Sequence, residues 1–458
     1  VPPSKTVWLH RTDIGNAERL VAHYRHDLLY CDTRGGWHTW DGRRYREDSV
    51  GKVELLAKNV VRAIFAEVAL LDDAYDREEH TRHAFASEKD ARIKAMLARA
   101  RVEEPFARTA DELDSDDWVF NVLNGTLDLR TGELRSHRRE DRITRLAPVE
   151  FDPNARCEDW ERFLKEALGD DDELVGWLQR LSGYSLTGDT SEDRVPILFG
   201  PGGTGKSTIL ETLKCTWGSY ARTISWETLL QSKHGGGGGP RDEIARLAGT
   251  RLVIASEVDP NREFNAGLLK SLSGDDTIAA RFLYKGTFEF RPTFKLVLAA
   301  NHLPALGSGD SGSWRRVVVV PLMRKPFKAE KGLRARLRRP DARAAVLAWA
   351  LRGLADWHNR GLGTATAIER HTEQYRERES LVDRFIDECC EVHVDASAPA
   401  RDLYEVFTAF AASIAPDREP MSDVRFGREL NDRGFLQVSG CWSGKKGKGR
   451  AGLRLRGS

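Results

Sequence analysis

Eight residues near the middle of the chain, GPGGTGKS from Gly200 to Ser207, constrain its architecture more than any others. They follow the apolar run Val195–Phe199 and open the helix-forming segment Ser207–Trp217. Strand, glycine-rich turn, Gly-Lys-Ser and helix, in that order, make a phosphate-binding loop. Glycines let backbone N–H groups curl around a β-phosphate, and the start of the helix adds partial positive charge. Gly200, Pro201, Gly202, Gly203, Thr204 and Gly205 form the cradle, with Thr208 in the helix behind it. Lys206 can reach β- and γ-phosphates, and the Ser207 hydroxyl can bind Mg²⁺. The pattern predicts a bound nucleoside triphosphate.

The residues that follow fit the same reading. From Asp193 to about Pro321, β-rich apolar runs alternate with helical segments, as expected of a nucleotide-binding α/β domain. RLVIASE (Arg251–Glu257) reads as a buried strand ending in an acid. Glu257 at that end can hold Mg²⁺ through water or activate an attacking water. FKLVLAAN (Phe294–Asn301) is a third apolar strand, and the Asn301 amide can orient a hydrolytic water. Arg315 and Arg316 stand at the entrance of a further strand, after a Gly/Ser-rich loop.

Bulk properties exclude several classes. At 458 residues the chain has room for roughly two to four domains. Its net charge of +1 means that any nucleic-acid surface must be local. No apolar run approaches the ~18 residues of a membrane span. The six cysteines are scattered without a C-x-x-C, against both a zinc module and a disulfide framework, so a reducing cytoplasm is expected. A start at Val1 without Met suggests a trimmed or partial chain.

The residues divide into 1–148, a mixed α+β N-terminal domain; 149–192, a helical linker; 193–330, the nucleotide core; 331–392, a helical region; and 393–458, a small C-terminal domain. Helices are expected at Val50–Leu71, Ala84–Ala110, Glu158–Leu168, Asp172–Leu181, Leu333–Arg360 and Ala367–Glu391. WHTWDGRRY (Trp37–Tyr45) carries an Asp-Gly hairpin turn. Its alternating aromatics and arginines invite base stacking, but core packing by Trp37 and Trp40 is the favoured reading. Asn124-Gly125 and Thr131-Gly132 mark further turns, and the glycine run in 234–240 reads as a surface loop. Cys389 and Cys390 are expected in the core of a helix.

Two basic segments can meet DNA. ARFLYKGTFEFRP (Ala280–Pro292) reads as a hairpin with Lys285 at its tip and Arg281 and Tyr284 nearby. The residues alone fit an ordinary hairpin with a solvated lysine at least as well. Near the C-terminus, GKKGKGR (Gly444–Arg450) lies between strands Phe435–Trp442 and Leu453–Arg456. A basic glycine-rich loop between strands is the form of a wing. There Lys445, Lys446, Lys448 and Arg450 can grip duplex phosphates, with the helix Val424–Arg433 in a groove.

Taken in order, LNGTLDLRTGEL, GYSLTGDTSED, GPGGTGKST, LAGTRLVIASE, LLKSLSGDDTIAARFLYKGTFEFRPTFKLVLAANHLP and GSWRRVVVVPL resemble a superfamily 3 helicase. The likeness is to the phage/plasmid and poxvirus-type primase-helicase family and covers nearly the whole chain. TDIGNAERLV resembles the helicase-associated N-terminal domain, and FGRELNDRGF the C-terminal winged helix. The resemblance implies an α/β AAA+ core with a mixed α+β N-terminal domain and a C-terminal winged helix. It also implies ATP and Mg²⁺ as ligands, and a hexameric ring moving 3′→5′ on single-stranded or forked DNA. Lys206 and Ser207 then serve phosphate and Mg²⁺, Glu257 is the second-motif acid and Asn301 the sensor. Arg315 or Arg316 is the arginine finger, with Arg316 preferred, and Lys285 grips the DNA backbone. Ser256 stands where many relatives carry a second carboxylate, so Glu257 acts alone or with Asp259. A primase or polymerase domain is expected upstream or in trans, and the setting is the cytoplasm of a bacterial host. The main rival is an origin-binding or loading ATPase that assembles on DNA without unwinding it. A protein-remodelling machine is disfavoured by the basic hairpin and wing.

Overall fold

The computed structural model describes residues 5–6, 8–230, 241–256, 264–281, 287–304, 306, 311–324, 330–414, 421–442 and 445–456. At its centre lies a five-stranded sheet of β1 (Val195–Phe199), β2 (Ala221–Thr223), β3 (Leu252–Ser256), β4 (Lys295–Ala300) and β5 (Val317–Pro321). The spatial order is β5-β1-β4-β3-β2, and every pairing is parallel. Both faces are covered, which explains why β4 and β5 are buried at every residue and, after the buried Lys295 that opens β4, read as apolar runs. Side chains alternate between two cores. Val318 and Val320 join Ile209, Leu210 and Leu213 on one face, while Val317 and Val319 join Leu296 and Leu298 on the other. Burying each such side chain contributes about 1.5–3 kcal/mol. The α/β class expected from the residues is the observed one.

Five helices cover the Val318 and Val320 face of this sheet: α1 (Glu158–Ala167), α2 (Asp172–Tyr184), α3 (Lys206–Trp217), α4 (Leu333–Leu337) and α5 (Pro340–Arg360). A single helix was expected over Leu333–Arg360. Pro340 instead starts a new one, because its ring suits the first helical turn but not an interior. Helices α2 and α5 cross closely through two glycines. A Cβ at Gly183 would stand 2.1 Å from the Leu354 backbone nitrogen, and one at Gly353 would stand 2.0 Å from the Gln179 carbonyl oxygen. Gly183→Ala gains about 1 kcal/mol of helix propensity but overpacks a backbone contact, so a net loss of about 2–3 kcal/mol is expected. A lower denaturation midpoint checks this; an unchanged one would mean that the two helices separate without cost.

The N-terminal domain pairs a three-stranded antiparallel sheet (Leu28–Cys31, Gly36–Trp40, Tyr45–Glu47) with four helices. Trp37 packs edge-on against Tyr30 and Phe106, and Trp40 against Tyr45, so both serve packing as expected. The long helix expected over Ala84–Ala110 is two, Ala74–Ser87 and Asp90–Ala100, the first capped by the Asp73 carboxylate on Asp76 N–H. At the second hairpin the turn is Leu123-Asn124, and Gly125 begins the return strand.

Beneath this domain Glu67 accepts hydrogen bonds from Arg19, His80 and Thr6, all buried. Burial alone would raise its carboxyl, but these donors outweigh it and hold Glu67 at about 2. His83, bonded to Asn16, is pushed by burial and nearby Arg19 down to about 4. Both groups stabilise the fold at neutral pH. His83 loses its contribution as pH falls from 6.5 through 4, and Glu67 loses its own from 4.5 through 2. Calorimetric scans should show the melting temperature falling through pH 6.5–4. The loss attributable to His83 is about 3 kcal/mol. His83→Gln should flatten that limb; a wild-type profile already flat there would contradict the assignment.

Residues 390–455 form a separate small unit. Strands Cys390–Pro399, Lys445–Leu455 and Gln437–Trp442 lie in that order beside helices Ala400–Ile414 and Asp423–Asp432. Phe407 and Phe426, with Phe385 from the preceding helix Thr366–Cys389, knit its core. Cys390 is buried as expected, but it opens a strand rather than closing a helix. Lys445–Arg450 was expected as a loop; it is strand, because its pairing with Gln437–Trp442 continues down to Trp442↔Lys445. Among the described residues, no helix is long and apolar enough to cross a membrane.

Candidate nucleotide site

The loop leaves β1 at the carboxyl end of the sheet, the usual ligand side of parallel sheets. Gly200 passes so close to the neighbouring strand end that a Cβ would stand 1.9 Å from the Leu322 carbonyl oxygen. Gly205 has φ +100°, and a Cβ there would press on the Phe163 ring at 3.0 Å. Only glycine meets both demands. Thr204 is wholly buried, and its hydroxyl donates to the Pro201 carbonyl at 3.0 Å, bracing the loop from within.

Lys206 is only 7% exposed. Its ammonium donates to the carbonyls of Gly200 and Pro201, the latter at 2.8 Å, and burial lowers its pKa. A buried cation held by neutral acceptors gains strength from an anionic partner, since charge-assisted hydrogen bonds are roughly twice as strong. Ser207, the next residue, is exposed at the first turn of α3. Its hydroxyl is free to serve an Mg²⁺–phosphate, so the residues present fit that ligand. Among the described residues, no cluster of three or more His, Cys, Asp or Glu forms a protein-only metal site.

Above the loop opens a cavity of about 780 Å³, within the range of small-molecule sites. Gly202–Thr208 form its floor, and Asn301, directly after β4, faces in from the side as expected. Phe163 and Leu333 supply apolar wall. Arg334 and Arg338 were not anticipated, yet both line the cavity, and Arg334 Nε donates to Thr208 Oγ1 at 3.2 Å. The run LRARLRR (Leu333–Arg339) held the signal, since residues four apart share a helix face. Between them Arg336 turns outward to Asp159 and Glu330, which also hold Arg162. This ionic net ties α1 to α4.

Glu257 and Asp259 lie outside the described residues. Arg315 and Arg316 do not line the cavity. They precede β5, at the opposite end of parallel strands from the loop, about 16 Å away for a five-residue strand. Arg315 is exposed, whereas Arg316 is half-buried and pairs with Asp193 at 3.5 Å.

Of the DNA candidates, Arg281 is exposed at the end of Ile278–Arg281, which pairs antiparallel with Thr287–Phe290. This is the expected hairpin; its tip, with Tyr284 and Lys285, lies outside the described residues. In the C-terminal unit Lys448 is exposed, and Lys445 and Lys446 pair as strand with Trp442 and Cys441. Arg450 departs from expectation. It is buried, donating to Asn431 Oδ1 and the Phe435 carbonyl, and so braces the unit instead of reaching phosphate.

Two family profiles match the chain: D5 N terminal like over residues 17–169, and a family of unknown function (DUF5906) over residues 198–316. "Putative helicase L207/L206" of Acanthamoeba polyphaga mimivirus is 29% identical over 319 residues, covering 64% of this chain and 33% of that protein. "Putative helicase 022R" of Frog virus 3 is 26% identical over 403 residues, covering 69% and 41%. "Putative primase C962R" of African swine fever virus is 24% identical over 326 residues, covering 65% and 33%. The chain thus spans a third to two fifths of these relatives' length. None of the three is from a phage or plasmid, so the expected bacterial setting has no counterpart among them. The solved apo structure of the NrS-1 C terminal region is similar at a TM-score of 0.38 and 14% identity, covering 66% of this chain and 76% of that one. These profiles and relatives, beside a phosphate loop seated on a parallel sheet, support a primase-helicase family for the chain.

Proposed function

We propose that the chain is the ATP-hydrolysing motor of a DNA helicase of the superfamily 3 type, working as a ring with an AAA+ core. The observation that carries this reading is the division of the site. Loop, Lys206, Ser207 and Asn301 gather at one end of the sheet, while Arg315 and Arg316 stand at the other. An arginine so placed can reach a nucleotide only in a neighbouring copy. That arrangement favours a closed ring, commonly of six copies.

In this reading the loop amides and Lys206 bind the β- and γ-phosphates of ATP, and Ser207 serves Mg²⁺, which neutralises charge on the γ-phosphate. Asn301 orients a water whose oxygen bonds to the γ-phosphorus as the bond to the bridging oxygen breaks. Glu257 takes that water's proton, alone or assisted by Asp259. Arg334 watches the same nucleotide from α4 and links its state to α5. Arg281, Tyr284 and Lys285 grip one DNA strand, moving 3′→5′. The unit at 390–455 has the element order of a winged helix and offers Lys448, with Lys445 and Lys446, to duplex phosphates. A primase or polymerase domain acts upstream or in trans.

ATP-dependent strand displacement on forked DNA tests the proposal against its rival. A helicase separates the strands with ATP. A loading ATPase hydrolyses ATP and assembles on the fork but leaves the duplex intact, and that outcome would replace this reading.

A further inference from the structure

A second cavity, of about 560 Å³, lies where the N-terminal sheet meets the β2 edge of the core, and shares no residue with the nucleotide cavity. Six arginines line it: Arg34, Arg44, Arg46, Arg145, Arg222 and Arg246. They come from separate stretches of chain, so only folding gathers them.

The charge there is not balanced. Glu47 lines the cavity, Asp114 pairs with Arg34 at 3.3 Å, Asp41 with Arg44 at 3.7 Å and Asp242 with Arg246 at 2.9 Å. Arg46 and Arg222 are exposed and have no carboxylate partner among the described residues. Among the described residues Arg145 is held by backbone carbonyls, donating to Ser219 at 3.2 Å and Ala248 at 2.6 Å, and its Nε is buried without an acceptor. Gathering like charges around a cavity costs free energy unless an anion offsets it. Nothing in the phosphate loop or the hairpin requires these arginines.

We propose that this cavity binds the phosphodiester backbone of single-stranded DNA. The lining favours backbone over a free nucleotide, because its one ring is His38, 4% exposed and tied to the Gly36 carbonyl. A base would therefore find no stacking surface, while phosphates would find guanidinium forks suited to them. Contacts of that kind position a strand without reading its sequence. The size admits one strand and not a double helix. This inference rests on the reading that the chain acts on DNA, and it gives the N-terminal domain a share in holding the strand.

The test is the anisotropy of a labelled oligothymidylate across a salt series, with no nucleotide present. Removing two phosphate contacts by R46A/R222A should lower affinity roughly tenfold and reduce the salt slope by about 1.4. R46K/R222K should restore most of the slope, and equal thermal midpoints would show that the fold is intact. An unchanged slope and affinity would overturn the proposal. So would competition by inorganic tripolyphosphate on a variant-sensitive site that ignores oligothymidylate, which would mark a nucleotide pocket. A variant that loses self-association while keeping its DNA slope would assign the surface to an acidic face of a second copy. Because nucleotide is absent, failure here leaves Lys206-dependent turnover standing.

Discussion

Lys206→Ala is expected to reduce ATP turnover by at least ~10³-fold, equivalent to roughly 4 kcal/mol of barrier. The ammonium is fixed between the Gly200 and Pro201 carbonyls, 7% exposed, where charge interacts more strongly than in water. As charge develops on the leaving oxygens, no other described cation of the loop can replace it. Binding should weaken too, but less, because the backbone amides of Gly202–Gly205 remain. Steady-state phosphate release alongside fluorescent-nucleotide binding separates the two effects. Turnover within tenfold of wild type would remove the loop from the hydrolytic site and take the motor reading with it.

Arg315→Ala is the second large effect. An arginine finger contributes about 10³–10⁵ in rate, or roughly 4–7 kcal/mol, so turnover should collapse while nucleotide affinity stays within a few-fold. Residue order favoured Arg316 for this role. The structure draws Arg316 toward Asp193 and leaves Arg315 exposed, its backbone carbonyl held by Arg194 at 2.8 Å. The sharper experiment mixes Arg315→Ala with Lys206→Ala subunits. If finger and loop come from different copies, some boundaries in a mixed ring pair an intact arginine with an intact lysine, and part of the activity returns. No recovery, together with full turnover by Arg315→Ala alone, would reject the shared site. Loss in Arg316→Ala but not Arg315→Ala would move the role by one residue.

What was legible in the residues, and what was not, follows from how far apart the cooperating groups lie in the chain. The phosphate loop and its flanks are contiguous, so Gly200–Ser207 and Val195–Phe199 declare themselves. Strands such as β4 and β5 are equally plain, since burial on both faces leaves the apolar runs Leu296–Ala300 and Val317–Pro321. Arg334, by contrast, reaches Thr208 across more than a hundred residues, so its basic run marks a charged helix face without showing what that face meets. Arg450 misled for the opposite reason. Its neighbours are glycines and lysines, which suggest a solvated loop, yet strand pairing turns it toward Asn431. The six arginines of the second cavity are each unremarkable in their own segment.

The glycine crossing of α2 and α5 has a mechanical consequence. Backbones in such close contact cannot slide or roll without colliding, so the two helices move as one body. Arg334 sits on the short helix joined to α5, and α2 belongs to the linker that follows the N-terminal domain. If a nucleotide binds beside Arg334, a displacement that reaches α5 would carry α2 with it. Whatever swivels during a cycle must do so elsewhere, and a single methyl at residue 183 would be felt as lost coupling as well as lost stability.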